Sequence, residues 1–151
     1  MKRIALYFLI AVVAAAAETP QELYQKALVK ERSEGKLDEA IQLYRRAADS
    51  AGKDRALAAK ALVQLGECYE KLEQMDEARS FYKKSVKMDP KLADAWFGVG
   101  VTLDFEERYF EALHFYKKAL DLDLTNPDLI KFEEGSIQIE IIGGVTDVSL
   151  H

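Results

Sequence analysis

One cysteine, Cys68, and two histidines, His114 and His151, are the side chains here best suited to nucleophilic or metal chemistry. A thiol acts as a nucleophile through its thiolate, which needs an exposed, electropositive setting. Cys68 instead sits between Gly66 and Tyr69 on the inward face, at the place filled by Thr102 in the next unit, where a free cysteine behaves as a small buried hydrophobe. Neither histidine has a second ligand at metal-binding spacing, so no metal is expected. Gly98-Val99-Gly100 could be taken for the start of a phosphate loop, but no strand precedes it. Glu106-Glu107 and Glu133-Glu134 are adjacent carboxylates that read as solvated helix ends, not acid–base pairs. With no nucleophile elbow, zinc motif or dinucleotide fingerprint, the chain is expected to be no enzyme and to take no cofactor.

The elements around these residues repeat. Leu37-Asp38-Glu39-Ala40-Ile41-Gln42-Leu43-Tyr44-Arg45-Arg46-Ala47 aligns without gaps with Met75-Asp76-Glu77-Ala78-Arg79-Ser80-Phe81-Tyr82-Lys83-Lys84-Ser85. Both align with Tyr109-Phe110-Glu111-Ala112-Leu113-His114-Phe115-Tyr116-Lys117-Lys118-Ala119. The block starts are 38 and then 34 residues apart. The four extra residues amount to about one helical turn, so the helix between the first two blocks can lengthen and keep the same face inward. Ahead of the third block stand Trp96, Val99, Gly100 and Leu103, and ahead of the second Leu62, Leu65, Gly66 and Tyr69, with Pro90 closing that unit. The first unit is degenerate: Tyr24, Ala27 and Leu28 replace the Leu-Gly pair, and Glu31 takes the Tyr place.

This composite pattern at a period near 34 resembles the tetratricopeptide repeat family, in which each unit is a pair of antiparallel helices. The resemblance implies an all-α fold of three helix-turn-helix units, about 21–54, 59–92 and 93–126, in a right-handed superhelical array. Helices are expected near 20–34, 37–50, 55–71, 75–87, 93–106 and 109–121. Gly66 and Gly100, with Ala78 and Ala112, are expected to remove bulk where the two helices of a unit cross. Tyr44, Tyr82 and Tyr116 should fill the gap toward the next unit. Asn126-Pro127 reads as an N-cap followed by proline, opening a capping helix over 127–134, with Leu129, Ile130 and Phe132 covering the open end of the stack.

The two ends depart from the repeat. Lys2 and Arg3 precede 14 apolar residues, Ile4 to Ala17, that close on Ala15-Ala16-Ala17. A basic start, a short apolar stretch and small residues at the boundary describe a signal peptide, residues 1–17, cut after Ala17. The run reaches only about 21 Å, short of the roughly 30 Å hydrocarbon core. Export to a periplasmic or extracellular space is therefore expected, without membrane insertion after cleavage. In the tail, 135–151, Ser136-Ile137-Gln138-Ile139-Glu140-Ile141-Ile142 alternates at period two, Gly143-Gly144 could turn, and residues 145–150 could return as a strand. Such a hairpin is marginal alone, so it is docked, paired with another chain, or frayed.

Charge narrows the partner. Removing Lys2 and Arg3 from 21 basic residues leaves 19 against 26 acidic, a net charge of −7, which disfavours nucleic acid and anionic lipid. The family resemblance places a groove on the first helix of each unit. Carried over by alignment, it comprises Glu22, Gln25, Val29, Arg32 and Ser33; Lys60, Val63, Glu67, Glu70 and Lys71; and Asp94, Phe97, Val101, Asp104 and Phe105. The subclass that clamps a C-terminal carboxylate needs Lys, Asn and Arg where this chain has Gln25, Val29, Gln64, Asp94 and Gly98. The expected function is a protein–protein interaction scaffold or adaptor in the cell envelope, with another protein or peptide in the groove. The alternative is a non-catalytic structural subunit that oligomerises through its tail strands. Helix 93–106 is apolar almost all round, and its stripe Phe97, Val101 and Phe105 is expected to be covered, by residues 127–150 or by a partner's anchor.

Overall fold

A computed structural model describes residues 17–123, and every described element is an α-helix: α1 Pro20–Arg32, α2 Leu37–Ser50, α3 Arg55–Lys71, α4 Met75–Met88, α5 Ala93–Phe105 and α6 Tyr109–Leu122. These lie within two residues of the bounds expected from the repeat. The signal segment up to residue 16, the capping helix 127–134 and the tail 135–151 lie outside the described residues.

Local signals explain where the helices begin and turn. The Thr19 side chain accepts from the Glu22 backbone N–H while the Glu22 carboxylate accepts from the Thr19 N–H, a reciprocal capping box with Pro20 in the first turn. Asp54 caps α3 by accepting from the Leu57 N–H at 2.9 Å. Each unit turns between its helices on a residue in the left-handed region, at equivalent places: Gly35 (φ 66°), Glu73 (φ 59°) and Glu107 (φ 60°). In the second and third units the next N–H closes back on the helix, Gln74 to the Tyr69 carbonyl and Arg108 to that of Leu103. Those bonds satisfy carbonyls the helix end leaves open.

The helices pack pairwise within units, α1 on α2, α3 on α4 and α5 on α6, and α2 on α3 and α4 on α5 join the units. The odd-numbered helices also touch one another, α1 with α3 and α3 with α5, whereas the even-numbered ones stand further apart. The array therefore curves with α1, α3 and α5 on its inner side.

The core is organised around three buried tyrosines, Tyr44, Tyr82 and Tyr116, one per unit. Tyr82 is wedged between units: a Cβ at Gly66 would stand 2.5 Å from its ring and one at Gly98 2.4 Å. Gly100 gives way to the Tyr116 ring in the same manner, at 2.6 Å. The glycines thus serve the helix crossing by admitting a tyrosine ring. Gly98, read from the sequence only as an unsuitable clamp or phosphate-loop residue, has a packing role. Cys68 is fully buried, as expected, and burial, reinforced by the nearby Glu31, pushes its thiol up to about 12.

Candidate functional site

Each tyrosine of the core ends in a hydroxyl that burial obliges to find a partner, and each finds a carboxylate on the inner helix of its own unit. Tyr44 donates to Glu31 at 2.7 Å, Tyr82 donates to Glu70 at 2.7 Å, and Tyr116 bonds to Asp104. Burial, helped by these carboxylate partners, holds all three phenols well above the ordinary tyrosine range. The packing of the core therefore fixes a row of acidic groups along the inner face.

Glu31 is the best sequestered member, its side chain 2% exposed, and Lys71 of α3 forms an ion pair with it. Burial opposes the charge on Lys71, but the Glu31 partner outweighs it and raises the lysine. Gln64 extends the network: its carbonyl oxygen accepts from Arg32 at 3.3 Å and its amide donates to Glu67 at 3.0 Å. Glu67 is half-buried, and desolvation, with Glu31 nearby, lifts its carboxyl to about 7. Desolvation likewise raises Glu70, against the lowering effect of its Tyr82 hydrogen bond and of Lys71.

The groove residues expected from the sequence fall into three settings. Lys60, Val63 and Asp94 gather around a cavity of about 290 Å³ lined also by Tyr24, Arg32, Gln64 and Leu92. Val63, however, is only 4% exposed and packs in the core with Ala95 and Val99, so it supports the groove floor and offers a partner little surface. Glu67, Glu70 and Lys71 assemble around Glu31 and the tyrosine hydroxyls. Phe97, Val101, Asp104 and Phe105 run along α5, where the apolar stripe is graded. Phe97 is half-buried, its ring 5.3 Å from that of Tyr116, so its cover comes first from its own unit. Val101 is half-buried and Phe105 is 62% exposed. Of the first-unit positions, Val29 is also exposed.

Glu31 and Gln64 escaped the sequence reading as members of this network. Glu31 registered only as a departure from the repeat signature. The usable signal was the separation between carboxylate and tyrosine, near-constant at 12 or 13 residues in all three units.

A larger cavity, about 500 Å³, opens on the opposite side between α2 and α4. It is floored by Ala58, Leu62, Leu65 and Phe81 and edged by Arg45, Arg55, Lys84 and Lys87. Two of its cations are already engaged: Arg45 donates to the Tyr69 hydroxyl at 2.6 Å, and Arg55 donates to the Met88 carbonyl at 3.1 Å. Among the described residues no cluster of His, Cys, Asp or Glu could hold a metal, and no helix is long and apolar enough to cross a membrane.

Comparison with known structures finds the same arrangement of helices. The first tetratricopeptide domain of Spaghetti, solved with the HSP90 peptide SRMEEVD, superposes with a TM-score of 0.69 at 20% identity, covering 82% of this chain and 96% of that one. The Arabidopsis OM64 domain gives 0.68 at 19% identity, with 81% and 96% covered. YrrB, described as having an unusual peptide-binding site, gives 0.64 at 25% identity and covers 80% of this chain, which spans 59% of YrrB. No relative was found among curated protein sequences. Tetratricopeptide repeat profiles match residues 18–91 and 93–126, most of the chain and every described helix. The chain belongs to the tetratricopeptide repeat family.

Proposed function

We propose that this chain is a protein-interaction scaffold or adaptor that holds a segment of another protein against the inner face formed by α1, α3 and α5. The observation that carries this reading is the state of that face. Carboxylates and apolar side chains are fixed there by the core beneath, while Val29 and Phe105 are left exposed beside them. Exposed apolar surface rimmed by polar groups marks interaction sites, and preorganised side chains reduce the ordering cost of binding. The solved neighbours support it: two domains of Spaghetti are seen with an HSP90 peptide. The basic start and short apolar run at Lys2–Ala17 support the further proposal that it works after export, in the cell envelope or outside it. The rival reading, a structural subunit joined through tail strands, depends on residues 135–151, outside the described residues.

Photo-crosslinking residues placed one at a time at Val29, Lys60 and Phe105 on the inner face, and at His114 and Lys83 on the outer helices, test the assignment in the native compartment. The same partner should be captured from the three inner positions and not from the outer two. Capture from His114 and Lys83 alone would refute it.

A further inference from the structure

The inner face is unevenly balanced in charge. Lys71 is already paired with Glu31, and Arg32 donates to the neutral Gln64. Three carboxylates along α3 and α5 have no ion pair of their own. Among the described residues no ion pair involves Glu67, Glu70 or Asp104. Each is held by a neutral donor instead, the Gln64 amide for Glu67 and the Tyr82 and Tyr116 hydroxyls for the other two. Two of them are half-buried, and Lys71, whose charge acts on both, is committed to Glu31; a desolvated carboxylate short of counter-charge is an unfavourable arrangement that an arriving cation relieves. Beside this row, Val101 is half-buried and Phe105 is exposed on the same helix, giving an apolar strip next to an acidic one.

We infer that the occupant of the groove is a protein segment carrying paired lysine or arginine side chains next to an apolar anchor. The cations meet Glu67, Glu70 and Asp104, and the anchor lies over Val101 and Phe105. The inference rests on the inner face being the interaction surface and adds the chemistry of what binds there. It also sets this groove apart from one that takes an acidic tail such as SRMEEVD. The positions where a carboxylate clamp would need Lys, Asn and Arg hold Gln25, Val29, Gln64, Asp94 and Gly98, and an acidic segment would meet like charge across the α3–α5 half. Like-charge juxtaposition is an effective source of discrimination.

The test uses two labelled peptide amides that differ only at two positions, lysine in SRMKKVF and glutamate in SRMEEVF, titrated against the full chain by fluorescence anisotropy. SRMKKVF should bind at least about tenfold more tightly at low ionic strength, with the ratio shrinking as salt is added. Combined Glu67→Gln and Glu70→Gln, which keeps an acceptor for the Tyr82 hydroxyl, should bring the ratio within about twofold while thermal unfolding confirms the fold. Phe105→Ala should weaken both peptides alike. Equal affinities, a preference for SRMEEVF, no binding of either, or a preference that survives both glutamines would overturn the inference. Equal affinities that both fall in Phe105→Ala would overturn the charge assignment alone and leave the groove in place. A lysine preference insensitive to all three substitutions would remove the groove as well.

Discussion

The two ends of the inner face are built from different materials. Between α1 and α3 it is a polar network in which Glu31, Tyr44, Gln64, Glu67 and Lys71 satisfy one another across two units. Along α5 it is aromatic, with Phe97 against Tyr116 and then Phe105, 62% exposed. A buried polar network stabilises one geometry at the cost of desolvation and fails sharply when one member is removed. An aromatic strip is tolerant in geometry and adhesive. The first region therefore fixes the shape of the groove, and the second supplies contact area.

The strongest way to break this comparison is at the crossings beneath both regions. Gly100→Leu forces a side chain into the Tyr116 ring, and overpacking of this kind costs about 1–3 kcal/mol. His114→Leu, on an exposed face, should stay within about 0.5 kcal/mol. Equal denaturation midpoints would remove the wedge as the source of helix spacing. Next in size is Phe97→Ala. Full burial would make such a truncation cost about 3–5 kcal/mol, and a half-buried ring should cost about 2. Phe105→Ala should leave the isolated protein within about 0.5 kcal/mol. If the two behave alike, the gradation along α5 is wrong.

Acid titration sharpens the polar side of the comparison. Glu67 has a folded-state carboxyl raised to about 7, so the folded protein holds its proton where the unfolded chain has lost it. Stability is then favoured at low pH and declines as pH rises from the ordinary carboxylate range to about 7, above which the penalty is constant. Glu67→Gln removes that slope. Its stability relative to the parent should climb between about pH 4.5 and 7 and level off by about 1 kcal/mol or somewhat more, allowing for solvent screening. A pH-independent difference would show that Glu67 is not desolvated. The smallest effect concerns the turns. Glu107 holds a φ of 60° where the first unit has Gly35, so Glu107→Gly should stabilise by about 0.5–1 kcal/mol in thermal melts.

Helix positions were legible in the sequence because three copies of one block, with Ala40, Ala78 and Ala112 and with Tyr44, Tyr82 and Tyr116 at matching places, constrain one another, and the bounds agree within two residues. The groove was legible as a set of positions but not as a surface. Val63 occupies a groove position by alignment, yet the next unit closes over it, and that closure depends on how tightly successive units pack. Phe97 was assigned to cover by residues 127–150 or by a partner's anchor, because the approach of Tyr116 across the α5–α6 crossing carries no local mark. Glu31 looked like a lapse in the pattern, whereas the buried hydroxyl of Tyr44 gives it a definite task. Polar pairs that span 12 or more residues are set by tertiary packing, and periodicity alone does not expose them.

The groove can act as proposed only if the inner face is the surface that binds. Backbone amide shifts of the isotopically labelled protein, followed by NMR during titration with SRMKKVF amide, address this directly. The largest changes should fall on Glu67, Glu70, Val101, Asp104 and Phe105, with Arg45, Phe81, Lys84 and Lys87 unmoved. Changes concentrated on those last four, around the cavity between α2 and α4, would contradict it.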